Sequence, residues 1–379
     1  MTSNEPSTET VADLAVDPDL TAMITDVLAG FSGPTADPDP EAVWRTLAEV
    51  GLARLTAPEA GGGSGAGWAE ASALIRQAAA AGVGVPYVET DLVVGPLRRA
   101  ASLDDASPGT ATLAVVGRDG RARRVAWAGA TDTVLFVRRA AQDPGHDDDE
   151  AGVTRAGGYE VAEVAAARTE VFPGEATSSI PVGDVVPPSD MQWVRVPAGA
   201  VENAVMRGAL ARAVQCVGAC EGMLDAALEH TTARTQFGRA LARFQSVQNL
   251  VVDLAAETVL ARAAADQAVA DALATGLDGP LSGFRVAVAR SVASQALAVA
   301  VRNAHQVHGA IGTTHEHTLH RLTLPALQWR GEFGSAAFWE RQVADVAVAG
   351  GMDGAWPMVV EGAPVAGAAA AWLDRMTGA

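Results

Sequence analysis

Arg234-Thr-Gln-Phe-Gly-Arg-Ala-Leu-Ala-Arg-Phe-Gln245 and, some sixty residues on, His305-Gln-Val-His-Gly-Ala-Ile-Gly312 decide how this chain is read. The first stretch sets a permanent cation, a Gln, an aromatic ring and a Gly at the mouth of a long helical pattern. The second places the Gln306 carboxamide ahead of a Gly-x-x-Gly backbone, beginning at Gly309, that a ligand can approach closely. The gap between them is the length of a long helix.

Around these stretches the chain is helical. Leu210, Ala213, Val217, Cys220, Leu224 and Leu228 recur every three or four residues, which predicts one buried stripe. Val247, Leu250, Val251 and Leu254 begin a second helix, reaching about Ala274. A third follows the Gly276–Pro280 turn and runs to about Val307, and a fourth covers about Ala336 to Val348. Four long helices with short connections predict a bundle. Upstream, helices over Glu41–Leu52 and Ala69–Ala81 flank a Gly-rich loop at Ala57–Gly65, which lacks the strand and spacing of a nucleotide loop. Between about 109 and 197 the runs Thr110–Val116, Thr133–Val137 and Ser178–Val182 are short and β-rich. The expected division is a disordered polar tail over 1–20, a helical domain over 21–108, a β domain over 109–197 and a helical bundle over 198–379. The acidic run Asp143–Glu150 beside His146 reads as a solvated loop tip.

Composition narrows the chemistry. The net charge of −18 opposes nucleic-acid binding, which needs clustered cations. The chain has no lysine, which removes Schiff-base catalysis, pyridoxal phosphate attachment and the P-loop cation together. No charge-free run of eighteen apolar residues and no basic, apolar leader is evident, so the expectation is a cytoplasmic protein without a membrane span. Cys216 and Cys220 lie one turn apart on a helix and read as reduced core thiols. Five of the seven histidines fall between His305 and His320. The pairs His305/His308 and His317/His320 are each a turn apart, but no carboxylate or thiol completes a set and His315-Glu-His-Thr-Leu-His320 misses the H-E-x-x-H spacing. No metal site is expected.

The two opening stretches resemble the flavin-gripping segments of acyl-CoA dehydrogenases, R-x-x-F-G-x-x-L-x-x-x-Q followed by Q-x-x-G-G-x-G. The resemblance implies a mainly α fold with a central β domain, an N-terminal helical domain and a C-terminal four-helix bundle. It implies FAD as cofactor and a CoA thioester as substrate. Arg234 would meet the flavin pyrophosphate, Gln236 and Phe237 would line the groove, Gln245 and Gln306 would offer amides to the adenosine half, and the Gly309 backbone would let the cofactor lie close.

Two departures from the family pattern stand out. The family's catalytic Glu sits either in a Y-E-G-T segment, where this chain has Phe333, or on the helix before R-x-x-F-G, where it has Gly208. The run T-E-P-x-x-G-S-D, which wraps the flavin ring in the family's β domain, has no counterpart between Gly109 and Pro197. This combination resembles one half of the α2β2 acyl-CoA dehydrogenases of actinobacterial steroid catabolism. The implied partner is a homologous subunit bearing the catalytic Glu, and the implied substrate a steroid side-chain thioester. Two alternatives stay open: a self-sufficient homo-oligomer acting on acyl-CoA or acyl-carrier-protein thioesters with Glu332 as base, and a non-catalytic scaffold of the same fold.

Overall fold

The computed structural model describes residues 14–33, 38–105, 108–140, 158–175 and 178–378. The Asp143–Glu150 run and residues 1–13 of the expected tail lie outside the described residues. Helix α1 (Pro18–Ala29) starts within the stretch read as a tail, because Asp17 accepts the Asp19 N–H and Pro18 opens the first turn. The described residues form two compact units: one comprises those within 14–85, 178–179 and 206–368, the other those within 86–175, 180–205 and 369–378.

The first unit is helical. It contains α1, α2 (Pro40–Glu49), α3 (Trp68–Ala80), most of α5 (Ala198–Ala233), α6 (Gln245–Thr275), α7 (Ser282–His308), α8 (Leu319–Trp329) and α9 (Ala336–Glu361). Small residues let these helices approach closely, and α7 packs against both α6 and α9. Its core positions Val286, Ala289, Ala293 and Leu297 are fully or almost fully buried. By length and composition Ser282–Thr313 could cross a membrane, yet half of that apolar window is buried inside the protein.

The expected stripe on α5 holds from Leu210 to Cys220 and then fails. Leu228 is exposed, while Met223 and Ala227 are buried in its place. Leu228 lies eighteen residues beyond Leu210, five full turns at about 3.6 residues per turn, and points the same way. Leu210 is covered and Leu228 is not, so the packing over that face ends before Leu228. Helix α9 outruns its expected end at Val348 and reaches Glu361, breaking at Gly351, where φ is 62°. Cys216 and Cys220 are free and buried. Burial raises both thiols, Cys216 to about 11, so neither ionises at neutral pH.

The second unit carries the strands. The sheet β1 (Ala111–Val115), β3 (Thr133–Arg139), β4 (Tyr159–Ala165) and β7 (Val194–Val196) pairs in the order β1-β3-β4-β7, with β1 and β3 parallel. A second sheet orders β2 (Ala122–Ala126), β6 (Val182–Val186) and β5 (Glu170–Pro173) as β2-β6-β5. Phe136, Val134, Val125 and Val185 meet in its core. The strand expected over Ser178–Val182 begins only at Val182, because Pro181 has no N–H to give a ladder. A seven-residue π-helical stretch, Val88–Val94, leads into α4 (Gly95–Ala100), and α10 (Ala368–Thr377) closes the unit through the Arg139–Asp374 ion pair. Arg98 on α4 is almost fully buried. Its Nε donates to Glu163 Oε2 at 2.9 Å and an Nη donates to Thr133 Oγ1 at 3.0 Å.

Removing one member of a buried ion pair strands the other in a dry site. Arg98→Met should therefore cost about 3–5 kcal/mol in denaturant unfolding. A loss below roughly 1 kcal/mol, the range of a surface pair, would show that Glu163 is adequately solvated without its partner.

Candidate functional site

Two regions of the helical unit carry the residues singled out from sequence. The first is the far end of α5. Arg234 follows its last residue, and β8 (Thr235–Gln236) and β9 (Arg239–Ala240) then form a two-stranded hairpin into α6. Phe237 and Gly238 make the turn with φ of 51° and 77°, the doubly left-handed conformation that a two-residue hairpin demands. Holding a Phe there is unfavourable, and the ring is 90% exposed, touching Phe244 edge-on at 6.2 Å between centroids. Arg234 is exposed and has no ion-pair partner among the described residues. Gln236 in β8 and Gln245 at the start of α6 are exposed as well.

Gln306 and Gly309 lie at the end of α7. Gln306 is exposed, and Gly309 ends the helix at φ 64° with nothing within 4 Å of where a Cβ would stand. The ends of α5 and α7 come together: the rings of His230, one turn before Arg234, and His308, next to Gly309, are 4.5 Å apart. The two stretches therefore share one end of the bundle. A cavity of about 740 Å³ beside it is lined by His230, Arg234, Ile311 and His317, among others.

The second region holds Gly208 and Phe333. A Cβ on Gly208 would lie 2.6 Å from two carbons of the Phe333 ring. The two positions from which the family's base could come are thus in contact, one filled by a benzene ring and the other bare to make room for it. Two buried guanidinium groups fix this arrangement. Arg212 on α5 donates through Nε to Glu332 Oε2 at 2.7 Å, with a further nitrogen 2.6 Å from the same oxygen, and also donates to Gln215. Gln328 donates to the other Glu332 oxygen at 2.9 Å. From α7, Arg290 donates to the carbonyls of Arg330, Glu332 and Gly334 at 3.0, 2.9 and 2.7 Å. Burial depresses Arg290 to about 10, still well charged at neutral pH. Held this way, Phe333 keeps a left-handed φ of 51°. Its carbonyl accepts the Trp339 indole N–H at 3.1 Å.

The sequence reading named Glu332 but missed both arginines. Their signal was present: each Arg sits in a run of small apolar residues, Ala209-Leu-Ala-Arg-Ala-Val214 and Val286-Ala-Val-Ala-Arg290. A charge there must have a partner.

Comparison with known proteins accounts for this fold. Residues 33–104 match the acyl-CoA dehydrogenase N-terminal domain and residues 198–347 the acyl-CoA dehydrogenase C-terminal domain. The chain belongs to the acyl-CoA dehydrogenase family. It is 30% identical over 346 residues to acyl-CoA dehydrogenase FadE34 of Mycobacterium tuberculosis, an alignment covering 87% of this chain and 45% of that protein. The chain thus spans about half the length of that relative. The fold is shared with the ChsE4-ChsE5 complex of Mycobacterium tuberculosis (TM-score 0.75, 22% identity, 89% of this chain and 99% of that one). It is also shared with the Tcur3481-Tcur3483 steroid ACAD, a G363A variant (TM-score 0.73, 20% identity, 90% and 99%).

FAD is the cofactor of this family, and the α5–α7 end suits part of it. A guanidinium with no ion-pair partner among the described residues and three exposed carboxamides supply donors that a pyrophosphate and an adenosine need, and the open space over Gly309 lets a ligand lie close to the backbone.

The contact between Gly208 and Phe333 is testable by a double-mutant cycle. Gly208→Ala should cost about 1–3 kcal/mol, the scale of overpacking. In a Phe333→Ala background most of that cost should vanish. Equal costs in both backgrounds would mean that the ring does not occupy the space over Gly208.

Proposed function

We propose that this chain is one subunit of a heteromeric, FAD-dependent acyl-CoA dehydrogenase. The assembly introduces an α,β double bond into a CoA thioester, and the catalytic base comes from a homologous partner subunit. The observation that carries the reading is the fate of the three candidate base positions. Gly208 has no side chain, Phe333 has no proton acceptor, and both Glu332 oxygens are engaged by Arg212 and Gln328. A general base must come within hydrogen-bond reach of the proton it takes, and a carboxylate held by a buried guanidinium is poorly placed to do so.

What the chain keeps is a binding arm. Arg234 would pair with the pyrophosphate through a planar fork, while Gln236, Phe237, Gln245, Gln306 and the Gly309 backbone would hold the rest of the dinucleotide. Bound flavin supplies hydride acceptance; these side chains supply position and charge. Their full exposure suits a cofactor lying between two chains. Apolar residues left in water on α9, with Met352 97% exposed and Val348, Trp356 and Val359 close behind, also suit a chain that buries surface against a partner. The ChsE4-ChsE5 and Tcur3481-Tcur3483 pairs, similar to this chain in fold, support a two-chain assembly, and the latter's description as a steroid ACAD supports a steroid side-chain thioester. A cytoplasmic setting is the corresponding proposal for location.

Glu332→Gln tests the base. Turnover of the assembled complex should stay within a few-fold of the parent, whereas removing a general base costs on the order of 10²–10⁴-fold. A loss of that size with flavin content intact would return the base to Glu332. Arg234→Ala should weaken FAD binding by about 1.5–3 kcal/mol, the scale of a hydrogen bond to a charged group; unchanged affinity would remove Arg234 from the cofactor. For substrate, kcat/KM should favour steroid side-chain thioesters over straight-chain ones, and the reverse order would overturn the steroid assignment alone.

A further inference from the structure

Between the two cofactor stretches the fold assembles something the sequence order conceals. His230 lies 75 positions before His305, outside the histidine-rich stretch, yet it packs with His308 and His317. One ring nitrogen from each of the three lies within 4.8 Å of the others. The rings of His308 and His317 are 4.6 Å apart, and those of His230 and His317 are 6.4 Å apart. The pairs that lie one turn apart in the sequence, His305/His308 and His317/His320, are not the group that forms.

The protonation of His308 can be deduced. Its Nδ1 lies 2.7 Å from the Ala304 carbonyl, which can only accept, so Nδ1 carries the hydrogen and Nε2 presents a bare lone pair. His308 is 5% exposed, and this Nε2 is buried without a hydrogen-bond partner. A carbonyl holding the far nitrogen of an imidazole is also how metal-binding histidines are oriented.

We propose that His230, His308 and His317 form a binding site for a zinc-like divalent cation, with His308 coordinating through Nε2. Three imidazoles are a known catalytic-type zinc set, leaving a fourth position for water. Water and ion have a route in, because His230 and His317 both line the 740 Å³ cavity. Asp225, Glu229 and Glu316 line it too, against Arg234 and Arg321, so carboxylates outnumber guanidinium groups on its wall. Burial, the largest cause for each ring, lowers the pKa of all three histidines, and neighbouring imidazoles add to the effect. Neutral rings are the form that binds metal.

One adjustment accompanies binding. His317 Nδ1 accepts the Leu319 N–H at 3.1 Å, so the neutral ring carries its proton on Nε2. Coordination through Nε2 moves that proton to Nδ1 and gives up the contact. Leu319 opens α8 and is fully buried, so its N–H is left without that partner, a cost the metal bonds must offset. The bound ion would tie the end of α5 to the end of α7 and to the segment before α8. It would thereby brace the base of the Arg234 hairpin. The site rests on the imidazole geometry alone and does not require the cofactor reading.

The test uses untagged full-length chain, stripped with EDTA and titrated with Zn²⁺ alone, then with Co²⁺ for its absorption spectrum. The expected result is one Zn²⁺ per chain and the intense visible bands of four-coordinate Co²⁺. His230→Ala and His317→Ala, at partly exposed positions that tolerate truncation, should each weaken Zn²⁺ binding by at least the roughly 10–100-fold that loss of an outer-shell partner costs. His315→Ala, in the separate His315–His320 pair, should leave it unchanged. Failure to take up one equivalent, affinity unaltered by both cluster substitutions, or equal loss in His315→Ala would overturn the site.

Discussion

Two buried guanidinium groups reach residues 329–334 from different helices, and the character of the candidate catalytic region follows from that clamp. Arg212 holds the Glu332 carboxylate and Arg290 holds the backbone carbonyls around it. Arginine suits the task because it keeps its charge when buried and offers donors in several directions at once. With both ends of the segment fixed, Phe333 is forced into a left-handed backbone and its ring into the space over Gly208. Strain of this kind persists only where surrounding contacts over-determine it. Here it leaves a region with strong order and no free carboxylate at the positions where the family keeps its base.

The other end of the bundle has the opposite character. Arg234, Gln236, Phe237, Gln245 and Gln306 face water, and the turn that carries Phe237 is unfavourable for a residue whose ring stays 90% exposed. A site dense with internal partners and a site with almost none, in one helical unit, suit a protein that lends binding surface to another chain and borrows chemistry from it. The apolar side chains left exposed along α9 belong to the same pattern.

Much of this was legible in the sequence, and the limits have physical causes. The bundle helices were readable because their periodic small apolar residues agree with their burial, whereas the hairpin turn at Phe237-Gly238 was not read, because a Phe with a left-handed φ is not a usual turn residue. Leu228 was misplaced because periodicity gives the direction a side chain points but not where the packing against that face of α5 ends. The strand at Val182 was drawn too early because propensity was allowed to outweigh the missing N–H of Pro181. The absence of a base at Gly208 and Phe333 could be counted along the chain. That these residues touch, and that Glu332 is engaged by Arg212, depends on long-range packing that no local pattern encodes. The same holds for His230, brought to His308 only by the pairing of α5 with α7.

The central claim is that this subunit completes a partner's flavin site and builds none alone. Flavin stoichiometry tests it most directly, measured by absorbance against protein concentration. The chain would be purified by itself and after co-expression with a base-bearing homologue. The account predicts colourless protein in the first case and one FAD per pair of unlike chains in the second. One FAD per chain in protein purified alone would contradict it.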